Sequence, residues 1–197
     1  MRRGSSFSKK IFDPIYDEIK LSHSLYNHKK ETIGNFKVKV SNKYGVINKK
    51  KEIILPIVYE EIYFRDYGWI IKKNDKFGFQ LMDRIELSVP IAYDSMRQIN
   101  DRLVCGKSGK VGVIDFFNEV IIPFEYDSID KIKIGHKEGF KAIRNGKIGL
   151  LDWKYRRLTE DKYIDVKVLE DDLVELKTDG SIKVVSWEEL FQSQFEE

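Results

Sequence analysis

The chain has 197 residues, with 35 basic and 32 acidic side chains and a formal net charge of +3. That length suits a single domain or one compact array, able to bury roughly 70% of its unfolded surface. The mixed charge excludes both a disordered polyelectrolyte and the basic footprint of a dedicated nucleic-acid binder. From the N-terminus, "IFDPIYDEI" (11–19) reads as the second half of a strand-rich unit without its first half. A long connection, "KLSHSLYNHKKETIGN", follows, and then four similar units at approximately 36–62, 69–96, 103–129 and 140–166. The stretch 174–187 is a first half without its second. "SWEELFQSQFEE" then opens a helix expected over 187–196, with Ser186 and Glu189 as a capping box and Trp187, Leu190, Phe191 and Phe195 on one face.

The units share a physical pattern. Marker glycines Gly45, Gly78, Gly112 and Gly149 stand 33, 34 and 37 residues apart. Nine residues before each comes a large apolar residue (Phe36, Trp69, Leu103, Phe140), and seven before comes Val38, Ile71, Cys105 or Ala142. Such alternation describes a half-buried strand. Two turn residues follow: Ser41-Asn42, Asn74-Asp75, Ser108-Gly109 and Asn145-Gly146, with Asp179-Gly180 in the last half-unit. Asn-Gly favours a type I′ hairpin turn, where both central residues need positive φ. A second strand carries the marker glycine, whose place implies a bulge or a close backbone approach. A third apolar stretch ends on Tyr59, Tyr93, Tyr126 or Tyr163, three of them in Pro-x-x-Tyr, and its proline belongs on a sheet edge. The expected fold is therefore all-β, one repeat domain over 1–197. It would contain about five antiparallel units in a β-propeller-like or strongly curved solenoid array, with a short C-terminal helix. The two half-units are complementary, so they would either latch a ring or cap an open array.

"KYGVIN", "KFGFQL", "KVGVID" and "KIGLLD", together with "PIVYEEI", "PIAYDSM" and "PFEYDSI", resemble the WG (KWG) repeat found in many bacterial proteins. The resemblance covers about residues 11–187. The signature tryptophan is replaced here by Tyr44, Phe77, Val111 and Ile148. The resemblance implies a binding or scaffolding module of the kind found in sensors and immunity neighbourhoods, and it carries no catalytic residues.

In arrays, core positions repeat and functional loops vary. Two connections are long, Ile19 to Phe36 and Ile129 to Phe140, at 17 and 11 residues against 7 or 8 elsewhere. They hold His23, Tyr26, His28, Lys29, Lys30, Lys131, Lys133 and His136, which form the expected partner-binding loops. Their basic, aromatic-bearing chemistry suits an acidic protein surface. The expected function is a non-catalytic protein-binding module, a bacterial immunity or adaptor protein that blocks or positions a partner. The alternative is a carbohydrate or cell-wall ligand-binding module, motivated by the 25 aromatic residues.

Other signals carry less. "CGKSGKVG" lacks the glycine spacing of a phosphate loop and reads as a hairpin turn. His23 and His28 have no ligand spacing, so neither a metal nor another cofactor is assigned. Cys105, the sole cysteine, excludes an intrachain disulfide and aligns with core residues. Asp115 and Asp152 recur at strand ends, as turn-side hydrogen-bond acceptors would. With no apolar run near about 18 residues and none behind the basic start, neither a membrane-crossing helix nor a signal peptide is expected, and the expected location is cytoplasmic.

Overall fold

A computed structural model describes residues 15–21, 25–26, 32–82, 84, 86–170 and 172–192. The chain divides into two compact parts, Met1–Ala92 and Tyr93–Glu197. The fold is all-β, with five antiparallel sheets of three or four strands and one short helix.

In the first part, β1 (Glu18–Leu21) is followed by a ribbon of β2 (Leu25–Tyr26) and β3 (Thr32–Ile33). Next come β4 (Asn35–Val40), β5 (Lys43–Asn48) and β6 (Ile53–Tyr59), and sheet I has the order β1-β4-β5-β6. Sheet II joins β7 (Glu61–Phe64), β8 (Gly68–Lys73), β9 (Lys76–Leu81) and β10 (Val89–Tyr93). Val46, Leu55, Tyr59, Ile62, Trp69 and Ile71 make one core there.

In the second part, sheet III holds β11 (Ser95–Ile99), β12 (Arg102–Lys107), β13 (Lys110–Ile114) and β14 (Val120–Tyr126). Sheet IV has only β15 (Ser128–Ile134), β16 (Lys137–Arg144) and β17 (Lys147–Asp152). Sheet V consists of β18 (Asp165–Val168), β19 (Leu173–Lys177) and β20 (Ile182–Ser186), and α1 (Trp187–Gln192) follows it. Phe140 and Tyr155 stack at 4.3 Å in a core with Tyr126, while Trp187 and Leu190 join a second core with Ile134, Leu150 and Val174.

The sequence pattern explains these sheets. Both central residues of four hairpin turns have positive φ: Ser41 and Asn42, Asn74 and Asp75, Ser108 and Gly109, Asn145 and Gly146. These are type I′ turns, whose twist matches that of the flanking strands. The acid after each repeat tyrosine caps one of them. Asp17 accepts from Ser41 N (2.8 Å), Glu60 from Asn74 N (2.8 Å), Asp94 from Ser108 N (2.7 Å) and Asp127 from Gly146 N (3.4 Å). In the last repeat Ile164 replaces that acid, and the Asp179-Gly180 turn differs accordingly. Neither residue has positive φ, and Thr178 and Ser181 close the turn through their own side chains.

The prolines Pro56, Pro90 and Pro123 lie on β6, β10 and β14, each a terminal strand of its sheet. Beside them the marker glycines admit a close approach. A Cβ on Gly112 would meet Ile122 O at 2.7 Å, and the β13–β14 register shifts there. Tyr59, Tyr93 and Tyr126 end their strands in equivalent, buried places, at 7, 4 and 2% exposure. Cys105 is fully buried like its counterparts Val38, Ile71 and Ala142, and burial pushes its thiol up to about 12.

Sheets break after the repeat tyrosine, so the apolar residue three positions later opens the next sheet. The N-terminal half-unit thus gives β1 to sheet I, and the C-terminal half-unit gives β19 and β20 to sheet V. Residues 11–14, which a latch would need, lie outside the described residues.

Candidate functional site

Sheet IV is where the repeat fails, and the failure begins on a shared feature. Asp152 Oδ1 accepts the backbone N–H groups of Lys154 and Arg156, both at 2.8 Å. Asp115 and Asn48 make the same two bonds in sheets III and I. The recurring strand-end acceptor is thus a turn-forming group, which matches its sequence pattern. After Asp152, however, the chain forms no third full strand. Residues 153–164 make only isolated bridges, Ile148 with Tyr163 and Leu151 with Arg157. The stretch "WKYRRLTEDKY" has no proline and few apolar residues, so it has no alternating face to bury.

This irregular segment presents Trp153, 55% exposed, with Lys154 Nζ 4.8 Å from its ring centre. The indole lines a groove of about 530 Å³ together with Lys137, Glu138, Trp187, Glu188, Phe191 and Gln192. The groove wall is α1. Its capping box forms as the sequence implies: Glu189 N donates to Ser186 Oγ (3.1 Å) and Ser186 N donates to Glu189 Oε2 (2.8 Å). Trp187, 4% exposed, lies directly over Gly139, where a Cβ would collide with the indole. The glycine therefore lets the helix rest on β16. Lys137 Nζ donates to Glu188 at 2.8 Å and holds that carboxyl below its ordinary range. Lys131 pairs with Glu138 at 2.7 Å, and the Arg156 guanidinium lies 5.2 Å from the Phe191 ring centre.

A second departure lies nearby. The residue packed against the marker glycine is Ile57, Ile91 or Phe124 in three repeats, and in the fourth it is Asp161. Its side chain is 5% exposed and bound by Arg144 (2.6 Å) and Arg157 (3.2 Å), with Oδ1 left without a partner. Arg157 also donates to the Tyr126 hydroxyl at 2.7 Å.

The residues expected from the sequence divide as follows. His23, His28, Lys29 and Lys30 lie outside the described residues. Tyr26 is in β2, opposite Thr32 of β3. Lys131, Lys133 and His136 are described, but not as a loop, and that expectation is corrected. The long connection is absorbed by a longer hairpin, β15 with β16, paired from Ser128–Ile143 to Ile134–Lys137. Lys131 and Lys133 are exposed strand residues, and His136 is exposed in the turn beside Gly135. The alternation of Ile132 and Ile134 before Gly135 is the signal that announces this hairpin. Trp153 and Asp161 carry no signal in the sequence, whereas Trp187 and Phe191, expected there on one helix face, line the groove. Loss of Pro-x-x-Tyr in the fourth unit was the available pointer.

Turn, marker glycine, proline-bearing edge strand and buried tyrosine recur in register, and a family comparison agrees. A family model described as a WG containing repeat matches residues 44–77 and 112–133. Two segments of the chain thus match the WG repeat. The first match includes Gly45, Pro56 and Tyr59, and the second includes Gly112, Pro123 and Tyr126. Among curated protein sequences none matches. Solved structures are similar at low identity. Hsv2 of Kluyveromyces lactis with its complete loop 6CD aligns at 10% identity over 77% of this chain and 57% of its own, with a TM-score of 0.38. The dihydro-heme d1 dehydrogenase NirN in complex with DHE aligns at 10% over 79% and 43%, with a TM-score of 0.38. PorZ, a surface component of the type-IX secretion system of Porphyromonas gingivalis, aligns at 9% over 83% and 24%, with a TM-score of 0.34. The chain thus spans less than two thirds of each. No helix among the described residues is long and apolar enough to cross a membrane.

Proposed function

We propose that this WG-repeat chain is a non-catalytic protein-binding module, an immunity or adaptor protein that binds a partner protein and blocks or positions it. The setting of this proposal is the cytoplasm of a bacterium, and the lone buried thiol suits a reducing compartment. One observation carries the reading. An exposed tryptophan, Trp153, borders a preformed groove whose other aromatics, Trp187 and Phe191, are held by the core and by α1. Tryptophan in such a place is typical of the few residues that dominate binding energy at an interface. The groove also arises where the repeat is broken, so its shape is not required by the array.

A second reading, a carbohydrate or cell-wall ligand module, draws on the same indole. A sugar ring can stack on its face while Glu138 and Gln192 supply hydrogen bonds. Affinity capture by the intact chain, run in parallel with Trp153→Ala, separates the two. A partner protein recovered at stoichiometric yield by the native chain and lost with the variant supports the first reading. Retention on immobilised glycan, lost with the same variant and with no protein recovered, replaces it with the second. Capture unaffected by the variant removes the groove from both.

A further inference from the structure

The groove's charges say what kind of segment fits it. Two carboxylates line it, and both are already occupied: Glu138 by Lys131 and Glu188 by Lys137. An incoming base would have to break one of these pairs. The cations around the groove are more numerous. Lys133 stands opposite Glu138 across the β15–β16 pair, so the two side chains share a face. Lys154 stands over the Trp153 ring, and Arg156 stands over Phe191. Arg156 is held by Asp152 at 2.7 Å, whereas Lys133 and Lys154 make no ion pair among the described residues. An incoming acid therefore meets cations that need not give up a partner. The floor selects a different property. Trp153 and Phe191 offer apolar surface beside the buried Trp187, and about 530 Å³ lies within the range of preformed ligand sites. That volume accepts a large side chain but not a folded domain.

From this the geometry points to one occupant: an acidic peptide segment of a partner protein that inserts a single aromatic or large aliphatic residue between Trp153 and Phe191 and sets its carboxylates against Lys133 and Lys154. This rests on the protein-binding reading and specifies the partner's chemistry. The apolar anchor supplies affinity, and the flanking charges supply steering and register.

The test is selection of peptides from a displayed random 12-residue library on the full chain, followed by affinity measurement on the native chain, Trp153→Ala and the double variant Lys133→Glu/Lys154→Glu. The expected peptides share one aromatic or large aliphatic residue flanked by Asp and Glu. Their affinity falls at least about tenfold with Trp153→Ala. It falls severalfold with the charge-reversed double variant, and severalfold again when salt is raised from about 0.05 to 0.5 M. Circular dichroism confirms that the variants fold. Peptides that bind at Trp153 but are basic or uncharged, or that ignore the charge reversal, overturn the acidic-segment inference and leave the protein-binding reading standing. Selected peptides whose affinity is untouched by Trp153→Ala overturn both.

Discussion

Strands β13 and β17 are siblings. Lys110-Val111-Gly112-Val113-Ile114-Asp115 in one matches Lys147-Ile148-Gly149-Leu150-Leu151-Asp152 in the other. Each follows a type I′ turn capped by an acid, and an aspartate, Asp115 just after β13 and Asp152 at the end of β17, folds the next few residues into the same loop. From there the two diverge. Residues 116–126, "FFNEVIIPFEY", contain a short loop and then β14, with Phe124 against Gly112 and Tyr126 in the core. Residues 153–163, "WKYRRLTEDKY", are equally long but make only bridges, with Asp161 against Gly149 and Tyr163 half-buried. The hairpin is thus the part that these two units share, fixed by turn chemistry and alternation. The stretch after it tolerates replacement, and in the fourth unit the replacement builds a groove wall.

Truncating the terminal tyrosines should break the comparison most visibly. Tyr126→Ala should cost about 3–5 kcal/mol in urea unfolding, as removal of a buried aromatic does. Tyr163→Ala, outside the regular sheet, should cost less than about half as much. Equal losses would mean that the irregular segment is as integral to the core as β14. The marker glycines come next. A methyl on Gly112 meets the Ile122 carbonyl and the Phe124 ring, so Gly112→Ala should cost about 1–3 kcal/mol. On Gly149 the first obstacle is the Asp161 carboxylate rather than backbone, so Gly149→Ala should cost less than Gly112→Ala. Thermal unfolding of the pair gives the answer directly, and the reverse order would contradict the close-approach argument.

Smaller still is the effect of restoring the sibling residue at the buried carboxylate. In Asp161→Ile, Arg144 keeps Glu125 and Arg157 keeps the Tyr126 hydroxyl. Only the carboxylate is exchanged, and both arginines are partly exposed and keep a partner, so the change in stability should stay within about 1 kcal/mol. A loss above about 2 kcal/mol would show that the carboxylate organises the segment.

The acid cap of β16–β17 should show in pH dependence. The hydrogen bond from Lys110, and then the Gly146 N–H, hold the Asp127 carboxyl below the ordinary aspartate range. Its contribution is therefore complete above the unfolded value near 3.9 and is lost as pH falls through the lower folded value. The native chain and Asp127→Asn should differ in stability at pH 6 and converge toward pH 2. A constant gap would rule out the cap as its source.

Much of the fold was legible because its causes are local. Two turn residues and one glycine per unit, with a proline in each of the first three full units, dictate hairpin, bulge and edge strand, and Ser186 with Glu189 dictates where α1 starts. Cys105 was legible through its aligned siblings. What escaped the sequence depends on distance. The groove requires Trp187 to settle on Gly139 and Trp153 to stay outside the sheet, and no short pattern encodes either. The β15–β16 hairpin escaped for another reason. Its lysines look like loop chemistry, although the isoleucines between them already alternate as in a strand.

Trp153 and Phe117 provide a matched pair, at 55 and 54% exposure, in the loops that follow β17 and β13. Only Trp153 borders the groove. The most direct measurement is therefore the affinity of one groove-selected acidic peptide for the native chain, Trp153→Ala and Phe117→Ala by isothermal titration calorimetry. A loss of at least about tenfold is expected for Trp153→Ala and no change for Phe117→Ala. Equal losses, or none in either, would contradict the role of the groove.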